Sequence, residues 1–255
     1  MKTQKKLRAN TSGQLIIVAA LVIAILISST TIYVYELTMQ NNSDTSSSFT
    51  NFVLALKQST KNAMISSLAN ISNGGEEAVL EANLNELSQF LRRLNSFGIY
   101  QLTFTLLNDV NYDSGVWLSW NLSDEGVSSA YANFTLQVYG ASENVTLNYA
   151  VNVTTAATIN GVYTLAGDEK QVNLTCNVYN EGQPALARNI ALFYNNSGSW
   201  TQIDASNNLS IMDYGNGTYS ISFAVTTALD NVQISAHVTD FRSIFVQANT
   251  TCSEA

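Results

Sequence analysis

AYANFTLQVYGASENVTLNYAVNVT, residues 130–154, decides how the chain folds. Ala132, Phe134, Leu136 and Val138 fall on one phase of a two-residue period, and Tyr131, Asn133, Thr135 and Gln137 fall on the other. Val145, Leu147, Tyr149, Val151 and Val153 then repeat the apolar phase, opposed by Asn144, Thr146, Asn148, Asn152 and Thr154. Alternate side chains of a strand point to opposite faces, so the stretch predicts an antiparallel pair with one dry and one wet face. Tyr100–Leu107 and Val116–Leu122, around the turn Asn108–Gly115, extend it to a four-stranded antiparallel sheet.

Upstream, the period is helical. Phe49, Phe52, Val53, Leu56, Ala63, Met64, Leu68 and Ile71 share one face, Ser48 is a plausible N-cap, and Ser72-Asn73-Gly74-Gly75 breaks the run. A second helix from Glu76 to Ser96 carries a heptad seam, Leu80, Leu84, Leu87, Leu91 and Leu94, and Gly98 stops it. The short link favours an antiparallel helical hairpin lying on the dry face of the sheet. Service to a partner subunit is the alternative use of the leucine seam, set behind the adjacent intramolecular mate.

Downstream, from Thr158 to Cys252, the two-residue period returns. Val172, Leu174, Cys176 and Val178 alternate with Gln171, Asn173, Thr175 and Asn177; Ile244, Val246, Ala248 and Cys252 share a phase opposite Asn249. Cys176 and Cys252 therefore point inward, and an oxidising exterior favours their pairing across about 76 residues, with two free buried thiols as the alternative. Asn180-Glu181-Gly182-Gln183-Pro184 followed by Asn189–Tyr194 resembles the turn and strand of invasin-type immunoglobulin-like domains. Asp213-Tyr214-Gly215-Asn216-Gly217-Thr218-Tyr219-Ser220-Ile221-Ser222-Phe223 is similar to the entry of the sixth strand in filamin-type domains. The resemblance implies an Ig-like β-sandwich with Tyr219 at a tyrosine corner.

Gln14–Tyr35 is a long apolar run, and no charge occurs between Arg8 and Glu36. A helix of this length spans a bilayer, and Lys2, Lys5, Lys6 and Arg8 before it place the N-terminus in the cytoplasm. A cleavable secretory signal is the competing reading. Basic residues, then Gly13-Gln14, then the apolar run resemble the N-terminus of archaeal type IV pilin-like proteins over residues 1–36. That resemblance implies a processing site between Gly13 and Gln14 and packing of the helix in a filament or membrane. Ser12 and Val18 depart from the family pattern.

Four of the eleven basic residues precede Glu36, so residues 36–255 hold seven bases against nineteen acids, a net charge of −12. That excludes nucleic acid as a natural partner. Charged residues are 12% of the chain, so uncharged polar groups must wet most of the surface. Acceptor sequons stand at Asn41, Asn70, Asn121, Asn133, Asn144, Asn152, Asn173, Asn195, Asn208, Asn216 and Asn249, and at Asn10 before the apolar run. They are candidate glycosylation sites of an exported protein, although an Asn- and Thr-rich strand surface also makes sequons by accident.

Little in the sequence points to chemistry. His237 is the single histidine and lies on a polar phase with Gln233 and Ser235. Asp109-Val110-Asn111-Tyr112-Asp113-Ser114-Gly115 resembles the start of a calcium loop, but its glycine is one place late and its twelfth position is Trp120; a hairpin turn explains it as well. Asp124-Glu125 and Asp168-Glu169 read as solvated turn charges, and Trp117, Trp120 and Trp200 as an aromatic hint of binding.

The sequence thus predicts an α+β chain, mainly β outside the membrane. Residues 1–13 form a basic segment, 14–37 a single transmembrane helix, 38–48 a linker, 49–156 a helical hairpin on a small antiparallel sheet, and 157–255 an Ig-like β-sandwich. It predicts no catalytic, cofactor or metal residues. The expected partners are the lipid bilayer and, through the helical segments, further copies or other surface proteins. The functional expectation is a non-enzymatic, membrane-anchored, pilin-like surface protein presenting a glycosylated domain for adhesion or assembly. An accessory subunit of a membrane complex and an extracellular carboxylate hydrolase are the alternatives.

Overall fold

The computed structural model describes residues 45–93, 99–121, 123–139 and 144–255, together with Thr30. Among the described residues two full helices, α1 (Thr45–Ser72) and α2 (Ala78–Arg93), precede twelve strands. The strands are β1 (Ile99–Leu106), β2 (Val116–Ser119), β3 (Glu125–Tyr139), β4 (Asn144–Ala166), β5 (Glu169–Asn180), β6 (Gln183–Pro184), β7 (Ala187–Asn196), β8 (Ser199–Ile203), β9 (Ser210–Asp213), β10 (Thr218–Val225), β11 (Val232–Asp240) and β12 (Phe245–Glu254). A 3-10 turn, Ala205–Asn207, links β8 to β9. Lys57–Ala255 is one compact unit.

All twelve strands belong to one mixed sheet. Its main path runs β8-β7-β11-β12-β4-β5-β10-β9, with β1, β2 and β3 attached through β4 and β6 through β5. This corrects the expectation of a helical hairpin on its own sheet followed by a separate sandwich. The reason is β4. Its alternation does not stop at the expected boundary of 156/157 but continues through Ala157, Ile159 and Tyr163, all buried. β4 pairs with β3 from Asn144 to Thr158 and with β5 from Thr155 to Ala166, so both neighbours hold Thr155–Thr158. A short parallel pairing, Ser253 with Val162 and Glu254 with Tyr163, joins β12 to the other side of the path.

One face of β4 is covered twice. Over the first stretch the cover is helical. Met64, Leu68 and Ile71 of α1 and Leu80, Leu84 and Leu91 of α2 are buried, as are Leu102 of β1, Phe134 and Leu136 of β3, and Val151 and Val153 of β4. Ser88 of α2 donates to the Leu102 carbonyl at 2.5 Å, and the Lys57 ammonium lies 5.2 Å from the ring centre of Tyr149. Over the second stretch the cover is β-structure. Ala157, Ile159 and Tyr163 share a core with Val172, Leu174, Cys176 and Val178, with Ile221 and Phe223, and with Val232, Ile234, Ala236, Val246 and Ala248. Each fully buried Leu, Ile, Val or Phe here contributes roughly 1.5–3 kcal/mol.

Gly126 shows how closely β3 crosses β12: a Cβ there would lie 1.9 Å from the Gln247 carbonyl oxygen. Gly217, at φ +83°, is similarly enclosed by the backbone of Ala185 and Val178. Tyr219, the expected corner tyrosine, is buried, and its hydroxyl accepts from the Ala187 N–H at 2.8 Å.

Among the described residues no helix is long and apolar enough to cross a membrane. This corrects the single-pass reading and the membrane placement built on it. α1 is long, but Lys57, Lys61 and many Ser, Thr, Asn and Gln side chains interrupt its apolar face. Apart from Thr30, the run expected to span, residues 14–37, lies outside the described residues, as do the basic segment with Gly13 and most of the linker.

Candidate functional site: an uncharged amide and aromatic face

Opposite the helices, β1, β3 and the first stretch of β4 present their polar phase. Register places Gln101 beside Gln137 and Thr146, Thr103 beside Thr135 and Asn148, and Thr105 beside Asn133 and Ala150. Tyr131 pairs with Asn152, and Ser129 with Thr154. None of these positions carries a formal charge. The side chains bond to one another: Thr135 Oγ1 donates to Asn148 Oδ1 at 2.8 Å, and Tyr139 Oη to Gln137 Oε1 at 3.0 Å. A sheet face made of neutral donors and acceptors stays wet without the long-range field that charged groups would add.

Three aromatic rings gather at one end of the face. Trp117 pairs with Ser129, so it shares the side of Tyr131. Tyr112 lies 5.8 Å from Trp117 and 6.2 Å from Tyr131, ring centre to ring centre. The loop before β2 delivers Tyr112. Asp109 Oδ1 accepts from the N–H groups of Asn111 and Tyr112 at 2.8 and 2.9 Å, and these bonds hold its carboxyl below the usual range. Ser114 at φ +50° and Gly115 at φ +80° complete the turn. The Tyr112 hydroxyl then meets Ser129 Oγ at 2.8 Å, which in turn meets Thr154 Oγ1 at 2.7 Å. The Asp109–Gly115 segment, read also as a calcium loop, spends Asp109 on its own backbone. Among the described residues no group of three or more His, Cys, Asp or Glu is placed to hold a metal.

The remaining candidates scatter. Trp120 has the opposite phase to Trp117. Its indole N–H donates to Ser128 Oγ at 3.0 Å and its ring meets Phe245 edge-on at 5.0 Å. Trp200 is half exposed on β8. His237 packs between Phe193 and Phe245 at 4.5 and 5.3 Å, and loss of solvent lowers its pKa. Asp124 accepts from Thr250 Oγ1 at 2.5 Å, whereas Glu125, Asp168 and Glu169 are exposed.

Cys176 and Cys252 are free thiols, both fully buried, in place of the expected bridge. Cys176 stands on β5 between Ile159 and Tyr219, and Cys252 on β12 opposite Val232, so β4 runs between their strands. Burial pushes the thiols up, Cys176 to about 12 and Cys252 to about 11.

The described sequon asparagines fall into two groups. Asn70, Asn121, Asn133, Asn144, Asn152, Asn173, Asn208 and Asn216 are exposed. Asn195 and Asn249 are half-buried and already spend their amide nitrogens on hydrogen bonds, to Gln233 Oε1 at 2.8 Å and to the Trp120 carbonyl at 2.6 Å. Asn41 lies outside the described residues.

Sequence reading missed one cluster. Asp240, fully buried, accepts from the Arg242 Nε at 2.8 Å and from Thr155 Oγ1 at 2.9 Å. Arg242 Nη1 reaches Glu181 at 2.6 Å and Nη2 donates to the Thr154 carbonyl at 2.9 Å. Lys61 adds a looser pair with Glu181 at 3.8 Å. The knot ties the β11–β12 turn and the turn after β5 to the middle of β4. Its one sequence signal was an Asp and an Arg two residues apart in a chain poor in charge.

No protein-family model and no curated protein matches the chain.

Proposed function

We propose that this is an exported, non-enzymatic display protein whose uncharged face, bearing glycans, serves adhesion or assembly. The observation that carries the reading is the face on β1, β3 and β4: neutral amides and hydroxyls, an aromatic cluster at one end, and three exposed sequon asparagines, Asn133, Asn144 and Asn152. Stacking rings beside neutral hydrogen-bonding groups suit uncharged, hydroxyl-rich or polar partners. The buried Asp240 and the exposed Glu181, which the fold brings together, are both bonded to Arg242, which supports a structural role over hydrolysis. The resemblance of residues 1–36 to archaeal type IV pilin-like proteins, and of the C-terminal part to invasin- and filamin-type domains, supports assembly and display.

Two measurements test it. Intact mass of protein from its native cells should exceed that of the bare polypeptide; an equal mass removes the glycan part. Gln101→Lys with Thr103→Lys, both on the face and outside every sequon, should abolish adhesion or assembly while changing stability by less than about 1 kcal/mol. Unchanged adhesion and assembly would remove the face from the account.

A further inference from the structure

We infer that Asn152 carries a glycan whose first sugar stacks on the ring of Tyr131, its amide held in place by Ser129 and Thr154. The inference rests on the display reading above and names one site and its geometry. Asn152-Val153-Thr154 is a sequon lying flat in β4, not in a loop. Asn152 Oδ1 accepts from Ser129 Oγ at 3.2 Å and from Thr154 Oγ1 at 3.0 Å. Both bonds fall on the oxygen, so the amide plane is fixed while Nδ2, the atom that takes a sugar, has no hydrogen bond among the described residues. The residue is exposed, so the nitrogen can be reached.

Tyr131 pairs directly with Asn152 across β3 and β4. Paired side chains on one face have Cβ atoms about 4.5–5.5 Å apart, the separation at which a group on one lies along the other. The Tyr131 ring meets Tyr112 edge-on at 6.2 Å, and its hydroxyl donates to Asn133 Oδ1 at 3.4 Å. A ring engaged at its edge and its hydroxyl is a restrained aromatic neighbour for whatever grows from Asn152. The C–H face of a pyranose is the complementary surface.

Attachment forms a bond between Nδ2 and the sugar's C1. It breaks the C1–O bond of a phosphate-activated sugar donor. The phosphate leaves with the bonding electrons, and one amide proton is lost. A separate transferase supplies the donor.

Asn144 provides an internal comparison. It too lies in an Asn-Val-Thr sequon and pairs with a tyrosine, Tyr139. No hydroxyl bonds fix its amide among the described residues, and Tyr139 is 41% exposed at the hairpin end. A glycan there lacks the restrained ring.

The test is site-resolved glycopeptide mass spectrometry of the native protein, joined to thermal melts before and after enzymatic deglycosylation. The expected result is an occupied Asn152 whose contribution survives Tyr131→Phe and disappears in Tyr131→Thr. Asn152→Gln should lower Tm by about 2–4 °C in glycosylated wild type and leave the Tyr131→Thr melt unchanged. Glycans elsewhere with Asn152 bare would overturn this inference alone. An equal loss of Tm in wild type and Tyr131→Thr would overturn the stacking. A chain bare at every sequon would overturn the display reading and this inference with it. Should Tyr131→Thr not fold, Tyr131→Val replaces it.

Discussion

The two stretches of β4 make the same alternating pattern and are buried in different ways. From Asn144 to Val153 the dry phase lies under helices, and the opposite phase is open, neutral and sequon-bearing. From Ala157 to Tyr163 the dry phase lies under strands of the same sheet, inside a core that also holds both thiols. A two-residue period says that one face is buried and is silent about what covers it. At the crossing, Thr155 is fully buried and bonded to Asp240, so a polar knot sits where one cover gives way to the other.

The largest effect should come from breaking that crossing. Asp240→Ala leaves Arg242 without its buried partner and removes the acceptor of Thr155, a change of about 3–5 kcal/mol. Urea titration should show one lowered midpoint. Glu181→Gln, at the exposed end of the same knot, should cost less than about 1 kcal/mol. Equal losses in the two variants would mean that the knot is not centred on the buried carboxylate.

Two core truncations sharpen the comparison. Leu84→Ala on the buried face of α2 and Ile221→Ala in the strand core should each cost about 2–5 kcal/mol. If β4 couples the two stretches, either variant lowers hydrogen-exchange protection along the whole strand. Protection lost from β1 and β3 alone in Leu84→Ala would show two independent parts.

The thiols report on the strand-covered stretch alone and give the smallest signal. Both are buried with raised pKa values, so they stay protonated and unreactive near neutrality. Folded protein at pH 8 should take up no iodoacetamide, and unfolded protein two equivalents. Because the folded pKa values lie above the ordinary thiol value, their contribution to stability is complete below about pH 8.5 and falls as pH rises toward 11–12. Cys176→Ser and Cys252→Ser should flatten that alkaline decline. Rapid labelling of native protein at pH 8 would contradict the burial.

The alternation, the polar phase and the helical periods were legible because side-chain pattern states them directly. The continuity of β4 was not. Thr154-Thr155-Ala156-Ala157-Thr158 is small and weakly contrasted, and reads as a seam between domains. Yet β3 and β5 both bond to those four positions, Thr155–Thr158, which no side-chain pattern announces. The knot was illegible for another reason: Glu181 and Arg242 are sixty-one positions apart, and nothing local marks either as paired. The thiols were expected to pair because an oxidising exterior favours a bridge and both share an inward phase. Phase shows which side a residue faces, and strand order then put β4 between their strands.

Under the proposed display role the fold would be pulled on, and the shared segment Thr155–Thr158 sets where tension goes. A tug on the helix-covered end must pass to the rest of the fold by sliding β4 against both neighbours at once. Fifteen residue pairs with β3 and twelve with β5 resist that motion lengthwise, in shear, where bonds give way together and not one at a time. The same chain peeled from a free margin such as β9 would open like a zip.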